Sequence, residues 1–471
     1  MSSSPPIFPH CALIEGKYPN IWKKEIVTPV PKTFPPEKIE DLRKISGLLN
    51  FSKIFEKIIS EYIVSDMKKD PSQYGNRKGS SIEHYLIKMF HKILKSLDNN
   101  SKSEAFAVIL QMIDWSKAFD RMSHKLGILS FIQNGVRSSL IPVLINYFQD
   151  REMTIKWNKT FNKSRPLNGG GPQGATLGIL EYLSQSSSNV DFLSQEQKYK
   201  FIDDLSILEI INLVNIGISS YNFKQNVPTD IGLHGQFIPP ENLDSQQYLK
   251  NISDWTDNNQ MMLNQKKSKF MIFNFTKKYQ FNTRLELKNC LLEQVSEAKL
   301  LGCIISENLT WHSNTKMIVK KSYKRVMILH KLYEFHLPVC ELVTIYVTFI
   351  RSVLEQSAVL WHSSLTEGEH LEIERVQKIC LRLILQQKYR DYDNALELAN
   401  LDTLRNRRTE LCLNFSKRCV KNENYSEMFP LNEKTVNTRK QEKYFVFPAK
   451  KSRLSNSAIP YMQRLLNENN L

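Results

Sequence analysis

The spacing of apolar residues changes several times along the chain, and each change marks an element. From Ala105 to Ile113 the run AFAVILQMI is almost continuously apolar, which predicts a central strand covered on both faces. Two helical stretches precede it. In ISGLLNFSKIFEKIISEYIVSDM the positions Leu49, Ile54, Ile58, Ile59 and Tyr62 broadly follow a helical repeat, and SSIEHYLIKMFHKILKSL repeats the pattern after the turn QYGNRKG. After the strand, Ala118, Met122, Leu126, Leu129 and Ile132 predict the inward stripe of one helix that stops at Gly135. IPVLINYFQDR reads as a further helix and MTIKWNKT as an edge-like strand, while WKKEIVTPVPK predicts an edge strand ended by Pro29 and Pro31.

In YKFIDDLSIL two short apolar runs flank an acidic turn, the pattern of a hairpin. Residues 218–250 lack long periodic elements and read as an excursion. Order returns as helix, turn and strand in YLKNISDWTDNNQMMLNQKKSKFMIFNF, and EAKLLGCIIS adds a short strand segment. From Thr315 to Trp361, and again in EHLEIERVQKICLRLIL, the pattern is helical. Strands and helices in this mixture predict an α+β protein, and 471 residues suffice for two to four domains or subdomains.

Charge narrows the partners. A formal net charge of +16 favours a polyanion. The seven cysteines are scattered, with neither a CxxC pair nor zinc-finger spacing to histidine, as expected for a reducing compartment. The proline- and serine-rich start lacks the basic and apolar regions of a secretory signal and is expected to be mobile. No long uncharged apolar segment supports a membrane span, so no membrane partner is expected.

Asp203 and Asp204 carry the chemistry. Side chains alternate faces in a regular strand, so both carboxylates serve one side only if the strand breaks at the pair. Adjacent like charges repel, and a divalent cation removes that cost. A third carboxylate, Asp114, ends the central apolar strand. Together the three carboxylates suggest a polymerase-type metal site, whereas an acidic pair alone reads as a solvated turn.

In this order along the chain, WKKEIVTPVPK, DLRKISGLLNFSKIFEKII, QYGNRKGSS, IDWSKAFDRMSH, GGGPQGATLG, FIDD, LNQKKSK and AKLLGCIIS resemble the blocks of reverse transcriptases from non-long-terminal-repeat, LINE-like retrotransposons. The resemblance implies a right-hand polymerase with fingers, palm and a mainly helical thumb. It divides the chain into a mobile segment (1–20), fingers and proximal palm helices (21–104), palm with fingers insertions and primer-grip hairpin (105–310), helical thumb (311–390) and basic C-terminal extension (391–471).

The same resemblance assigns Asp114 and Asp203 as principal ligands of two Mg2+ ions, for which Mn2+ can substitute. Asp204 completes the site, and the Ile113 carbonyl is a further ligand. Phe119 stands at the position that the family places beneath the incoming sugar, whereas without the surrounding blocks a core role would be preferred. Gln173 and Gly174 fall near the templating base. Lys32 and Arg43 resemble fingers residues that contact the triphosphate, but Lys44 replaces the proline usual after that arginine. Lys269 matches the lysine near the leaving phosphate, with Lys266 and Lys267 as neighbours that could take the role. Leu301 and Gly302 lie in the hairpin that holds the primer end. Asp120 is read as a brace or a partner for a basic side chain rather than as a ligand. Tyr444 and Phe445 stand as anchors within the basic stretch Lys434–Arg453, which is either a phosphate-contacting surface or a solvated tail.

The implied reaction extends a DNA 3′ end on an RNA template from deoxynucleoside triphosphates, as in target-primed copying. RNA template, DNA primer and RNA–DNA duplex are the implied partners, with the nucleus as workplace and a cytoplasmic ribonucleoprotein as a second setting. An inactive or domesticated nucleic-acid-binding derivative is the alternative; an RNA-dependent RNA polymerase would share the palm chemistry but explains Phe119 poorly. Neither an upstream endonuclease nor a ribonuclease H constellation is expected within these residues.

Overall fold

The computed structural model describes residues 12–32, 34–101, 103–216, 236–432 and 442–469. Its central sheet has five strands in the order Glu293–Gln294, Lys269–Phe273, Phe106–Ile113, Asp204–Asn212, Lys198–Phe201. Phe106–Ile113 lies in the middle, antiparallel to both neighbours. Its continuous apolarity follows from that place. Val108 and Leu110 enter one core with the Ile82–Asp98 helix, while Ala107, Ile109 and Ile113 enter a second core on the opposite face. The one polar residue buried in the run, Gln111, donates from Nε2 to the Ser245 carbonyl at 2.9 Å.

A second sheet corrects both edge-strand expectations. Lys24–Pro31 lies between Leu42–Gly47 and Glu152–Trp157, and the last of these also pairs with Thr160–Phe161 and Arg165–Pro166. The prolines fit because Glu152–Trp157 pairs only with Lys24 to Val27, leaving Pro29 and Pro31 a partner on one side alone.

Two helices are phased differently from expectation. Residues after Asp114 form a short 3-10 turn, Ala118–Asp120, and only then the His124–Gln133 helix. The break separates the two phases, so Leu129 and Ile132 are exposed, while Gly127, Ser130 and Phe131 face inward against the Thr176–Gln185 helix and its neighbours. In Asn50–Asp66 the inward stripe is Phe55, Ile59 and Ile63, and Leu49, Ile54 and Tyr62 lie outside. Residues 12–20, expected to be mobile, are packed as well: Tyr18 is buried, and its hydroxyl lies 2.7 Å from Ser52 Oγ. Of the expected excursion, 217–235 lies outside the described residues. Beyond it Gln236–Phe237 pairs with Phe281–Asn282, and the Asp244–Asn258 helix begins.

Beyond the palm-like sheet the chain is helical. The helices His312–Glu334, Glu367–Leu385, Leu404–Val420 and Ala458–Glu468 share one core with Ile82–Asp98 and one sheet face. Beyond residue 390, Leu404, Phe415, Ile459 and Met462 belong to that same core. Residues 434–441 of the basic stretch lie outside the described residues; after them, Tyr444 is buried in the same core and its N–H donates to Asn467 Oδ1 at 2.8 Å. Among the described residues no single helix is long and apolar enough to cross a membrane. One bent pair, Val339–Leu354 with Ala358–Ser364, passes by composition, and its apolar residues line the helical core.

Asp98, at the end of the Ile82–Asp98 helix, accepts hydrogen bonds from the backbone N–H groups of Lys450 and Lys451 at 2.7 and 2.8 Å. Lys451 Nζ also donates to the Leu97 carbonyl at 3.1 Å. Asp98→Ala would leave two N–H groups without their charged acceptor. It is expected to destabilise the protein by roughly 1.5–3 kcal/mol, read as a lower melting temperature, and to speed limited proteolysis around Lys450.

Candidate active site

Asp114, Asp203 and Asp204 meet at one end of the central strands. The ladder between Phe106–Ile113 and Asp204–Asn212 ends on the pair Ile113 and Leu205, so one further step in the same register sets Asp114 opposite Asp204. The strand does break at the acidic pair. Lys198–Phe201 ends before it, Phe201 pairs with Asp204, and Ile202 and Asp203 make a two-residue turn. Ile202 has φ +56° while Asp203 is not left-handed, the pattern of a II′ turn whose first position usually takes glycine. A β-branched residue there costs on the order of 1–3 kcal/mol.

Charge couples the three carboxylates. Burial raises the Asp204 pKa to about 6, with the Asp203 and Asp114 charges adding to the rise. Burial also raises Asp203, opposed by its own backbone N–H and by the Arg43 guanidinium. Asp114 is raised by burial and by Asp203, and lowered by Lys267 and a hydrogen bond with Asn264. Asp203 and Asp204 nevertheless open to solvent on one side. Among the described residues no three His, Cys, Asp or Glu side chains close into a metal cage. The donor set still fits divalent cations: three crowded carboxylates, each disfavoured as an anion, meet at an open cleft. Asp114, Asp203 and Asp204 would hold the ions, with the Ile113 carbonyl at the strand end beside them. Bound there, the ions would supply charge neutralisation at a reacting phosphate.

The NQKKSK loop braces Asp114, through Asn264 and Ser268, which carry no local sign of that role in the sequence. The Asn264 N–H donates to the Asp114 carbonyl at 2.8 Å, and Ser268 Oγ accepts from the Asp114 N–H at 3.1 Å. In the same loop Lys267 bears on Asp114, whereas Lys269 is paired with Glu293 at 2.7 Å. The run NQKKSK was legible as a block. Which lysine bears on Asp114 depends on a tight turn in which the Lys267 and Ser268 N–H groups both reach the Asn264 carbonyl.

Phe119 packs against Tyr182, with ring centroids 5.0 Å apart, and the Tyr182 hydroxyl feels the charges of Asp203 and Asp204. The glycine run lies along this turn. Gly171 N–H donates to the Phe119 carbonyl and Gly170 N–H to the Met122 carbonyl, both at 2.8 Å. Gly170 has φ +82°, and a Cβ there would stand 3.0 Å from the carbonyl oxygens of Phe119 and Asp120, so the site requires glycine. Gln173 and Gly174 meet the Leu42–Gly47 strand: the Ser46 N–H donates to the Gln173 carbonyl at 2.8 Å, and a Cβ on Gly174 would stand 3.0 Å from the Ser46 carbonyl oxygen. Glu56, also unrecognised in the sequence, accepts from the N–H groups of Thr176 and Leu177 and ties the Asn50–Asp66 helix to the start of Thr176–Gln185.

The Leu42–Gly47 strand carries Arg43 towards Asp203. Lys44, the departure from the family pattern, lies 3.4 Å from Asp120 Oδ1, so Asp120 holds a basic side chain. Lys32 Nζ donates to the Glu40 carbonyl at 3.0 Å. Leu301 and Gly302, both with positive φ, form the I′ turn between Glu297–Leu300 and Cys303–Ser306. The turn abuts the helical region, where a Cβ on Gly302 would stand 2.5 Å from Gln356 Nε2.

No family model matches the chain. Among curated proteins it is similar to one described as a probable RNA-directed DNA polymerase from transposon BS of Drosophila melanogaster, 25% identical over 327 residues, which cover 67% of this chain and 33% of that protein. A second, described as a probable RNA-directed DNA polymerase from the transposon X-element of the same organism, is 23% identical over 62% of this chain and 30% of its own length. The chain is thus similar to proteins described as transposon RNA-directed DNA polymerases. It spans about a third of the length of these curated relatives. Solved structures with a distant likeness are apo telomerase from Candida tropicalis (TM-score 0.41, 11% identity, 82% of this chain and 60% of that one) and the RNA-dependent RNA polymerase of a human picobirnavirus (TM-score 0.40, 9% identity, 80% and 61%).

In cation-free protein the raised pKa of Asp204 favours the folded state at low pH, and that contribution is lost as pH rises through about 6. Asp204→Asn removes the cost of burying that charge and, with it, the repulsion from Asp203 and Asp114. With chelator present, the variant is expected to melt above the parent at pH 7.5, with the gap closing towards pH 5. Thermal melts across that range check it, and a pH-independent gap would contradict the raised pKa of Asp204.

Proposed function

We propose that the chain catalyses RNA-directed DNA synthesis: extension of a DNA 3′ end on an RNA template by metal-dependent nucleotidyl transfer. The observation that carries this reading is the meeting of Asp114, Asp203 and Asp204 at the ends of paired strands, with the Arg43 charge reaching Asp203. Phosphoryl transfer needs little covalent chemistry from the protein and depends on positioning and charge. The aspartates gather negative charge where two Mg2+ or Mn2+ ions would sit. Arg43 offers a guanidinium fork to a triphosphate, and Phe119, backed by Tyr182, presents a ring able to crowd a 2′-hydroxyl. The Gln173–Gly174 backbone, joined to the strand bearing Arg43, fits a surface beneath a templating base. RNA template, DNA primer and deoxynucleoside triphosphates are the proposed partners, and target-primed copying would place the work in the nucleus, with a cytoplasmic ribonucleoprotein as its carrier.

Purified protein is expected to extend a DNA primer on RNA with Mg2+ and deoxynucleotides. Asp203→Asn should lower the rate by roughly 10²–10³-fold or more while leaving RNA–DNA duplex retention on filters largely intact. Well-folded parent protein that retains duplex but extends no primer, on several templates with either metal, would instead identify a nucleic-acid-binding derivative. Phe119→Val is expected to relax exclusion of ribonucleotides by roughly tenfold or more, measured as the ratio of kcat/KM for matched deoxy- and ribonucleotides; an unchanged ratio would remove Phe119 from sugar selection.

A further inference from the structure

The turn that carries the aspartates is occupied by the wrong kind of residue. Ile202 is left-handed at a position that suits glycine, and the β-branched side chain makes that conformation unfavourable unless its surroundings enforce it. One buried carboxamide meets both polar backbone groups of Ile202. Gln73 Oε1 accepts from the Ile202 N–H at 2.9 Å, and Gln73 Nε2 lies 3.5 Å from the Ile202 carbonyl. The same Oε1 accepts from the Gly75 N–H at 2.8 Å, which fixes the side chain to its own loop.

That loop is fixed in turn. Residues 72–74 run parallel beside Lys200: the Tyr74 N–H donates to the Lys200 carbonyl at 2.8 Å, and the Lys200 N–H donates to the Ser72 carbonyl at 2.9 Å. The buried Lys200 ammonium donates to Asp70 Oδ2 at 2.9 Å and to the Ser186 and Ser187 carbonyls. Gly75 allows the close approach, because a Cβ there would lie 2.6 Å from Ile202 Cγ1 and 2.7 Å from Ile202 N.

We propose that Gln73 is a positioning residue for the aspartate pair, holding Ile202 in the left-handed turn that presents Asp203 and Asp204 together to the cleft. Its hydrogen bonds go to the turn, so it acts through Ile202 rather than on the reacting atoms. Released from Gln73, Ile202 relaxes towards the extended region, which rotates the peptide that bears Asp203. Mutual repulsion of the carboxylates then favours their separation. The inference rests on the metal-site reading of the three aspartates.

The test uses the full chain without nucleic acid and follows Mn2+ binding by the electron paramagnetic resonance signal of the free ion. Gln73→Ala is expected to weaken Mn2+ binding by roughly 10–100-fold, the range for residues that orient metal ligands. In primer extension the Mg2+ concentration for half-maximal rate rises, with a smaller loss at saturating Mg2+. Adding Ile202→Gly to Gln73→Ala is expected to restore Mn2+ binding to near the parent's, because glycine adopts the turn unaided. Gln73→Met, which keeps side-chain length without polar atoms, replaces Gln73→Ala should the latter fail to fold. A Gln73 variant that folds and binds Mn2+ as the parent does, or a folded double variant no better than the single, overturns the proposal. Asp203→Asn separates the two claims: if it binds Mn2+ as tightly as the parent, the metal-site reading fails, and the role of the turn with it.

Discussion

Everything at the site depends on one ladder. Eight consecutive pairs, from Phe106 with Asn212 to Ile113 with Leu205, fix the register of the two strands that end at Asp114 and Asp204. A slip of one residue would turn every side chain of a strand to the other face. Here both faces of Phe106–Ile113 are buried in different cores, so a slip would exchange the contents of the two. Hydrophobic packing on two sides thus specifies where two carboxylates stand.

Around this ladder the site carries two local costs, like charges close together and an isoleucine in a left-handed turn. Neither is met by the strands themselves. Asn264 and Ser268 fasten the backbone at Asp114 from one loop, and Gln73 fastens Ile202 from another. Glu56 and the Gln173 carbonyl join the helix and strand of the fingers-like part to the segment entering Thr176–Gln185. The aspartates therefore sit at a junction of several distant segments. Local strain is tolerated because backbone hydrogen bonds from elsewhere hold it in place.

The central strand, the acidic hairpin and most helices were legible because periodicity reports burial on one or two faces. The Ala118–Ile132 stripe failed because a single phase was drawn through a chain that breaks at a 3-10 turn. The prolines of Lys24–Pro31 suggested an edge, yet a strand can be central along half its length. At the site, the aspartates and the glycine run were visible by residue type and order. Gln73, Glu56, Asn264 and Ser268 were not, since a polar side chain that bonds to distant backbone leaves no local pattern. Lys267 and Lys269 were equivalent by composition, and only the turn at Asn264 and the ion pair with Glu293 distinguish them.

The Asp98 contact joins residues 352 positions apart in the chain. During synthesis at about 5–20 residues per second, the partner backbone emerges roughly 20–70 s after the helix that awaits it. Through that interval the part of the core later completed by Ile459 and Met462 lacks that cover. A nascent chain of this kind exposes a sticky surface long after its site-bearing strands have been made, which gives chaperones a defined window and a defined face to guard.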